Sequence, residues 1–215
     1  MRGTIGKGCA LQPRARALSC AVLGLFWLMS GPSWAGSIET PLQKGTIEWG
    51  IMAGYGLSNG IGPSKVGIDF VTLMPRLGYV FAEIPGGPPV QGSLAGVVEA
   101  VPALVAFEDA QTIYGGGFNL LLHYDVATGT RLVPFLEGGA GILLSTPQST
   151  DRRSQFRASQ FNFTLQIAPG LRYLLTPHAA VSLEYRLHHI SDANTTKNNP
   201  GLNSDFVLLG FSIFR

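Results

Sequence analysis

From Val181 to His188 the chain alternates without a break: Val181, Leu183, Tyr185 and Leu187 are apolar, and Ser182, Glu184, Arg186 and His188 between them are polar. A period of two is that of a strand with an apolar and a polar face. The same reading along the chain predicts eight strands, at about 44–56, 66–82, 91–107, 112–125, 130–144, 160–175, 178–191 and 203–214. They are long. Strands in globular sheets average about 5 to 6 residues, whereas a tilted strand that crosses a bilayer needs about 9 to 11. Length therefore favours a membrane barrel over a soluble sandwich.

The connections point the same way. Pro85-Gly86-Gly87-Pro88-Pro89, Ala127-Thr128-Gly129 and Thr176-Pro177 are turn sequences, while the gaps at 57–65, 145–159 and 192–202 are longer and polar, with 108–111 a short exception. Short turns at one end and longer loops at the other are the habit of outer-membrane barrels, whose strand number is even. The expected fold is all-β, an eight-stranded antiparallel transmembrane β-barrel whose interior is filled by side chains. With an even strand count both termini lie at the periplasmic end, so the His189–Ser191 end of the seventh strand faces outward. Gly115-Gly116-Gly117 and Gly138-Gly139-Ala140-Gly141 fall inside strands, where a small, strongly curved barrel uses them to relieve crowding. Pro75, Pro102, Pro134 and Pro169 each remove a ladder donor, so they are expected at bulges or strand starts.

The first 35 residues stand apart. They hold Arg2, Lys7, Arg14 and Arg16, no acid, an apolar run from Ala17 to Met29, and then Ser33-Trp34-Ala35. That order is that of a secretory signal peptide cleaved after Ala35, leaving residues 36–215 as the barrel. The apolar run is short of the roughly 20 residues a membrane helix needs. Cys9 and Cys20 leave with the leader, so the mature chain has no disulfide or thiol chemistry. Four of the 15 basic residues leave too, so 11 stand against 13 acidic ones and the formal net charge moves from +2 to −2. The electrostatic case for nucleic acid goes with them.

Chemistry gathers near the C-terminus, in His188-His189-Ile190-Ser191-Asp192-Ala193 and the turn that follows. If the alternation holds to the strand's end, His189 and Ser191 share the face of Val181, Leu183, Tyr185 and Leu187. Their Cα atoms are then about 6.6 Å apart, a gap that an imidazole reaching toward a hydroxyl closes. A serine nucleophile needs such a base, and the base needs a third group to hold its tautomer. By itself His-x-Ser is frequent, and a polar strand end at the membrane interface accounts for it equally.

His189-Ile190-Ser191-Asp192-Ala193, followed by Asn199-Pro200-Gly201-Leu202 and a closing apolar strand, resembles the signature of the PagL family, the outer-membrane lipid A 3-O-deacylases or acyloxyacyl hydrolases. The motif covers about residues 184–212. The resemblance implies an eight-stranded barrel in the bacterial outer membrane and hydrolysis of an ester-linked acyl chain of lipid A. It implies Ser191 as nucleophile and His189 as base on the lipid-facing surface. Its partner is lipopolysaccharide in the outer leaflet, with no cofactor, and a homodimer is one assembly open to it. Two positions depart from the pattern. Asp192 stands where the family has an asparagine that serves the oxyanion, and an anion there opposes the developing charge. The acidic third member falls on Asn203, a neutral acceptor for the imidazole, with Asp205 of the same strand parity as the alternative. A barrel that keeps the scaffold without catalysis, as an OmpX-like structural or interaction protein, is the competing reading.

Three further expectations complete the picture. Arg152, Arg153 and Arg157 in the longest loop suit lipopolysaccharide phosphates as well as an ordinary solvated loop. Glu99, Glu137, Glu184 and Arg186 suit an ion-paired interior. His123 and His178 read as lone histidines near strand ends, outside any metal-ligand spacing.

Overall fold

A computed structural model describes residues 41–60, 67–87, 90–108, 111–145, 160–193, 195 and 201–215. The expected leader, residues 1–35, and the three loop arginines lie outside the described residues. Eight strands follow one another: β1 (Ile47–Ser58), β2 (Ile68–Ile84), β3 (Gly92–Glu108), β4 (Gln111–Val126), β5 (Leu132–Ser145), β6 (Phe161–Thr176), β7 (Ala179–Ser191) and β8 (Leu202–Phe214). Each pairs antiparallel with the next, and β8 pairs with β1, closing the barrel. Closure removes the sheet edges, and with them the unpaired backbone groups that a bilayer does not tolerate.

The alternation sorts side chains between two environments. In β2 every second residue from Ile68 to Val80 is buried, while Val71, Leu73, Leu77 and Tyr79 between them are exposed. The exterior is largely apolar: Leu165 is 62% and Leu209 67% exposed. Trp49, Tyr79, Phe81 and Tyr173 ring one end, and Tyr55, Phe107, Tyr114, Phe161 and Phe163 the other. An apolar belt between two aromatic girdles is the lipid-facing surface of a transmembrane barrel. The soluble sandwich is thereby set aside.

The interior is polar at mid-height and apolar at both ends. Arg186 donates to Glu99 from Nη1 (2.7 Å) and Nη2 (3.0 Å), to Glu184 from Nε (2.6 Å) and to Glu137 from Nη2 (3.2 Å). Arg76 also bonds Glu137. Nearer the periplasmic end Arg172 joins Glu48 and Asp125, each at 3.0 Å, and lies 5.3 Å from the Phe214 ring centroid. The ion-paired interior expected around Glu99, Glu137, Glu184 and Arg186 is present, and it is larger than expected. His123 needs correction: it is a member of this interior, with Nδ1 2.8 Å from Glu137 and Nε2 3.2 Å from Asp125. His178 does sit at a strand end, in the β6–β7 turn. Toward the outer end Met52, Phe70, Met74, Leu104, Leu143 and Phe206 fill the barrel, and at the periplasmic end Leu42 closes over Val133, Leu174 and Phe214.

Each awkward residue has its place. Pro75 and Pro102 lie at register shifts, between Leu73 and Arg76 on β2 and between Val101 and Leu104 on β3. Pro134 lies past the end of the β4–β5 ladder, and Pro169 falls where the β6–β7 ladder is interrupted between Ile167 and Gly170. At each of these places at least one of the two neighbouring ladders is broken or has ended, where a missing N–H costs least. A Cβ on Gly117 or Gly139 would run into the backbone oxygen of Ile142 or Leu120 on the facing strand, so β4 and β5 meet where only glycine fits.

Candidate active site

The parity of β7 is set by its interior residues. Ala180, Glu184, Arg186 and Ile190 are buried, so Val181, Leu183, Leu187, His189 and Ser191 point outward. The expectation that His189 and Ser191 share the apolar face holds. Parity in β8 likewise buries Ser204, Phe206 and Leu208 and turns Asn203, Asp205, Val207 and Leu209 outward.

Register then decides which β8 residue meets the imidazole. His189 pairs directly with Asn203 and Leu187 with Asp205. Directly opposed residues carry Cβ atoms about 4.5 to 5.5 Å apart, within reach of a ring and an amide. His189 Nδ1 lies 2.6 Å from Asn203 Oδ1. An amide oxygen only accepts, so the bond places the ring proton on Nδ1 and leaves Nε2 as the basic nitrogen. Asp205 is engaged elsewhere, accepting the Tyr185 hydroxyl at 3.0 Å. Of the two acceptors considered from sequence, the geometry gives Asn203 to the ring.

Ser191 is half-buried, one step past the last β7–β8 pair, Ile190 with Leu202, and opposite Phe163 of β6. Among the described residues its hydroxyl takes no hydrogen bond, to His189 included. Asp192 follows, buried, and Ala193 adopts a left-handed backbone with φ 53°. That conformation is costly for a residue with a Cβ, and such strain gathers at functional turns. Thr195 N–H donates to Asp192 O at 3.1 Å, holding the turn.

Asn59, which sequence reasoning passed over, and Gly201, which it quoted only as part of the turn, support Asn203 and His189. Asn59, in the loop after β1, donates its N–H to Asn203 O at 2.8 Å, continuing the sheet beyond Ser58. Gly201, with φ 74°, lies against the His189 ring. A glycine after proline at a strand start is the one signal for it in the sequence. Leu165 and Ile167 of β6, Leu187 and His189 of β7 and Asn203 of β8 line a groove of about 400 Å³.

This outward pair, an imidazole held by Asn203 with a serine two residues along the strand, sits within a wider match. The sequence profile of PagL, lipid A 3-O-deacylase, matches residues 86–212, more than half of the chain. The chain belongs to the PagL family. Among solved structures it is similar to the outer membrane enzyme PagL, with 19% identity over 76% of this chain and 97% of that one and a TM-score of 0.50. It is also similar to Neisserial surface protein A, with 18% identity over 79% and 97% of the two chains and a TM-score of 0.53. At such identities the likeness is one of fold, that of the outer-membrane barrel. No curated protein matches the sequence significantly.

Proposed function

We propose that this PagL-family barrel is an outer-membrane esterase that removes an ester-linked acyl chain from lipid A. Ser191 Oγ attacks the ester carbonyl, His189 Nε2 takes its proton and later returns one to the departing alkoxide, and water releases the acyl group from Ser191. Asn203 holds the ring through Nδ1. The observation that carries the reading is the 2.6 Å contact between His189 Nδ1 and Asn203 Oδ1 on the outward face, with Ser191 on the same face of the same strand. A base so oriented has little purpose in a lipid-facing wall unless the substrate is itself a lipid.

Position and shape support it. Residue pairs Phe163 with Ser191, Leu165 with His189 and Ile167 with Leu187 set an apolar row beside the polar one. The groove that Leu165, Ile167, Leu187 and His189 line suits a hydrocarbon chain whose ester end lies at His189. The substrate's glycolipid headgroup then lies in the outer leaflet, level with the aromatic girdle.

Asp192 favours a second reading, a barrel of the same family without turnover, because a carboxylate beside Ser191 disfavours an oxyanion. The two separate in one assay, in which the barrel folded in detergent is given purified lipid A and released fatty acid is measured. Release that vanishes in both Ser191→Ala and His189→Ala supports the esterase. A folded wild type that releases nothing supports the non-catalytic barrel.

A further inference from the structure

Gly201 is buried and left-handed, with φ 74°, immediately before β8. A Cβ built on it would lie 2.6 Å from His189 Cε1 and 3.2 Å from His189 Nε2. The first distance is closer than real Cβ contacts come, so the ring or the turn would have to move. Gly201 therefore meets the imidazole at the edge that carries the basic nitrogen, while Asn203 holds the other nitrogen.

We infer that Gly201 is a positioning residue for the proposed hydrolysis: its lack of a side chain leaves the His189 ring the place in which Asn203 holds it. One hydrogen bond at Nδ1 leaves the ring free to swing, because the second side-chain torsion of histidine is broad. A side chain at position 201 would push the ring at its Cε1 and Nε2 edge and re-aim Nε2. Aim matters here because a misplacement of about 1 Å costs on the order of 10²-fold in rate. The inference rests on the Ser191–His189 reading.

A glycine with positive φ also has a conformational role, so the test separates the two. Gly129, in the β4–β5 turn, has φ 67° and no atom within 4 Å of a built Cβ, so Gly129→Ala imposes similar backbone strain on an empty site. Asparagine tolerates the left-handed region yet carries a Cβ, so Gly201→Asn keeps the collision and relieves the strain. The barrel folded in detergent is treated with a fluorophosphonate, in which Ser191 Oγ displaces fluoride at phosphorus as its proton passes to His189. Labelling then reports activation of the serine without lipid binding, and kcat and KM for acyl release from lipid A are measured alongside.

Gly201→Ala and Gly201→Asn are each expected to slow labelling and lower kcat by about 10²-fold, with KM within twofold of wild type and Gly129→Ala unchanged. If Gly201→Ala fails to fold, Gly201→Asn carries the test. Wild-type labelling in Gly201→Asn, or equal slowing in Gly129→Ala, overturns the inference while leaving the hydrolase reading intact. A wild type that takes no label, or takes as much as Ser191→Ala, overturns both together.

Discussion

His189 and Asn203 face each other across the β7–β8 ladder with Nδ1 and Oδ1 2.6 Å apart, on the surface that the barrel turns toward lipid. A neutral amide in this place fixes the tautomer and, in the proposed acyl transfer, offers the imidazolium no charge of its own. Where a buried acid is replaced by its amide in a serine-protease triad, turnover falls by about 10⁴, so the converse exchange has room to help.

Asn203→Glu is accordingly expected to raise the rate of acyl release from lipid A, and Asn203→Ala to lower it by about 10- to 10²-fold, the worth of a hydrogen bond to a charged group. Asp205→Ala, which removes the partner of Tyr185, is expected to change the rate by less than about fivefold, since an ordinary hydrogen bond is worth only about 1 kcal/mol. Initial rates on purified lipid A check all three. A large loss in Asp205→Ala with none in Asn203→Ala would reassign the third member.

Asp192→Asn exchanges an acceptor-only carboxylate for a donor amide next to Ser191. Losing one oxyanion donor costs roughly 10² to 10³ in rate elsewhere, and a gain up to that size is expected here in kcat, with KM little altered. An unchanged kcat in a folded Asp192→Asn barrel would mean that the oxyanion is held by other groups.

The interior cluster yields a stability prediction that leaves the surface chemistry alone. Arg186 is buried and bonded to Glu99, Glu137 and Glu184. Arg186→Met leaves those carboxylates short of their shared partner, and breaking a buried ion pair from one side costs about 3 to 5 kcal/mol. Urea unfolding in detergent, followed by the mobility difference between heated and unheated samples, is expected to show that loss. Adding Glu99→Gln to Arg186→Met is expected to recover part of it, because one uncompensated charge is gone.

Much of this architecture was legible in the sequence because a barrel strand repeats every two residues. Val181, Leu183, Tyr185 and Leu187 set the parity that places His189 and Ser191, and counting along the motif reached Asn203. The choice between Asn203 and Asp205 was not legible, since both have the same parity and only the register across β7 and β8 separates them. His123 was misread for a related reason. Asp125 is its neighbour on β4 and Glu137 its cross-strand partner on β5, but the Arg76 and Arg172 that complete the interior come from β2 and β6, far apart in sequence. Their meeting depends on the tilt and stagger of the closed barrel, which no local pattern records. Gly201 was quoted as part of a turn, but its contact with the His189 ring exists only once β8 has paired.

The most direct measurement is the mass of lipid A extracted from cells of a Gram-negative host producing the wild-type barrel, Ser191→Ala or His189→Ala, each verified as folded in the outer membrane. The expected result is loss of the mass of one ester-linked acyl chain with the wild type, and unmodified lipid A with either variant, since removing one member disables the unit. Lipid A of the same mass in all three would contradict the proposal that Ser191 and His189 form a hydrolase, and so would an equal loss in all three.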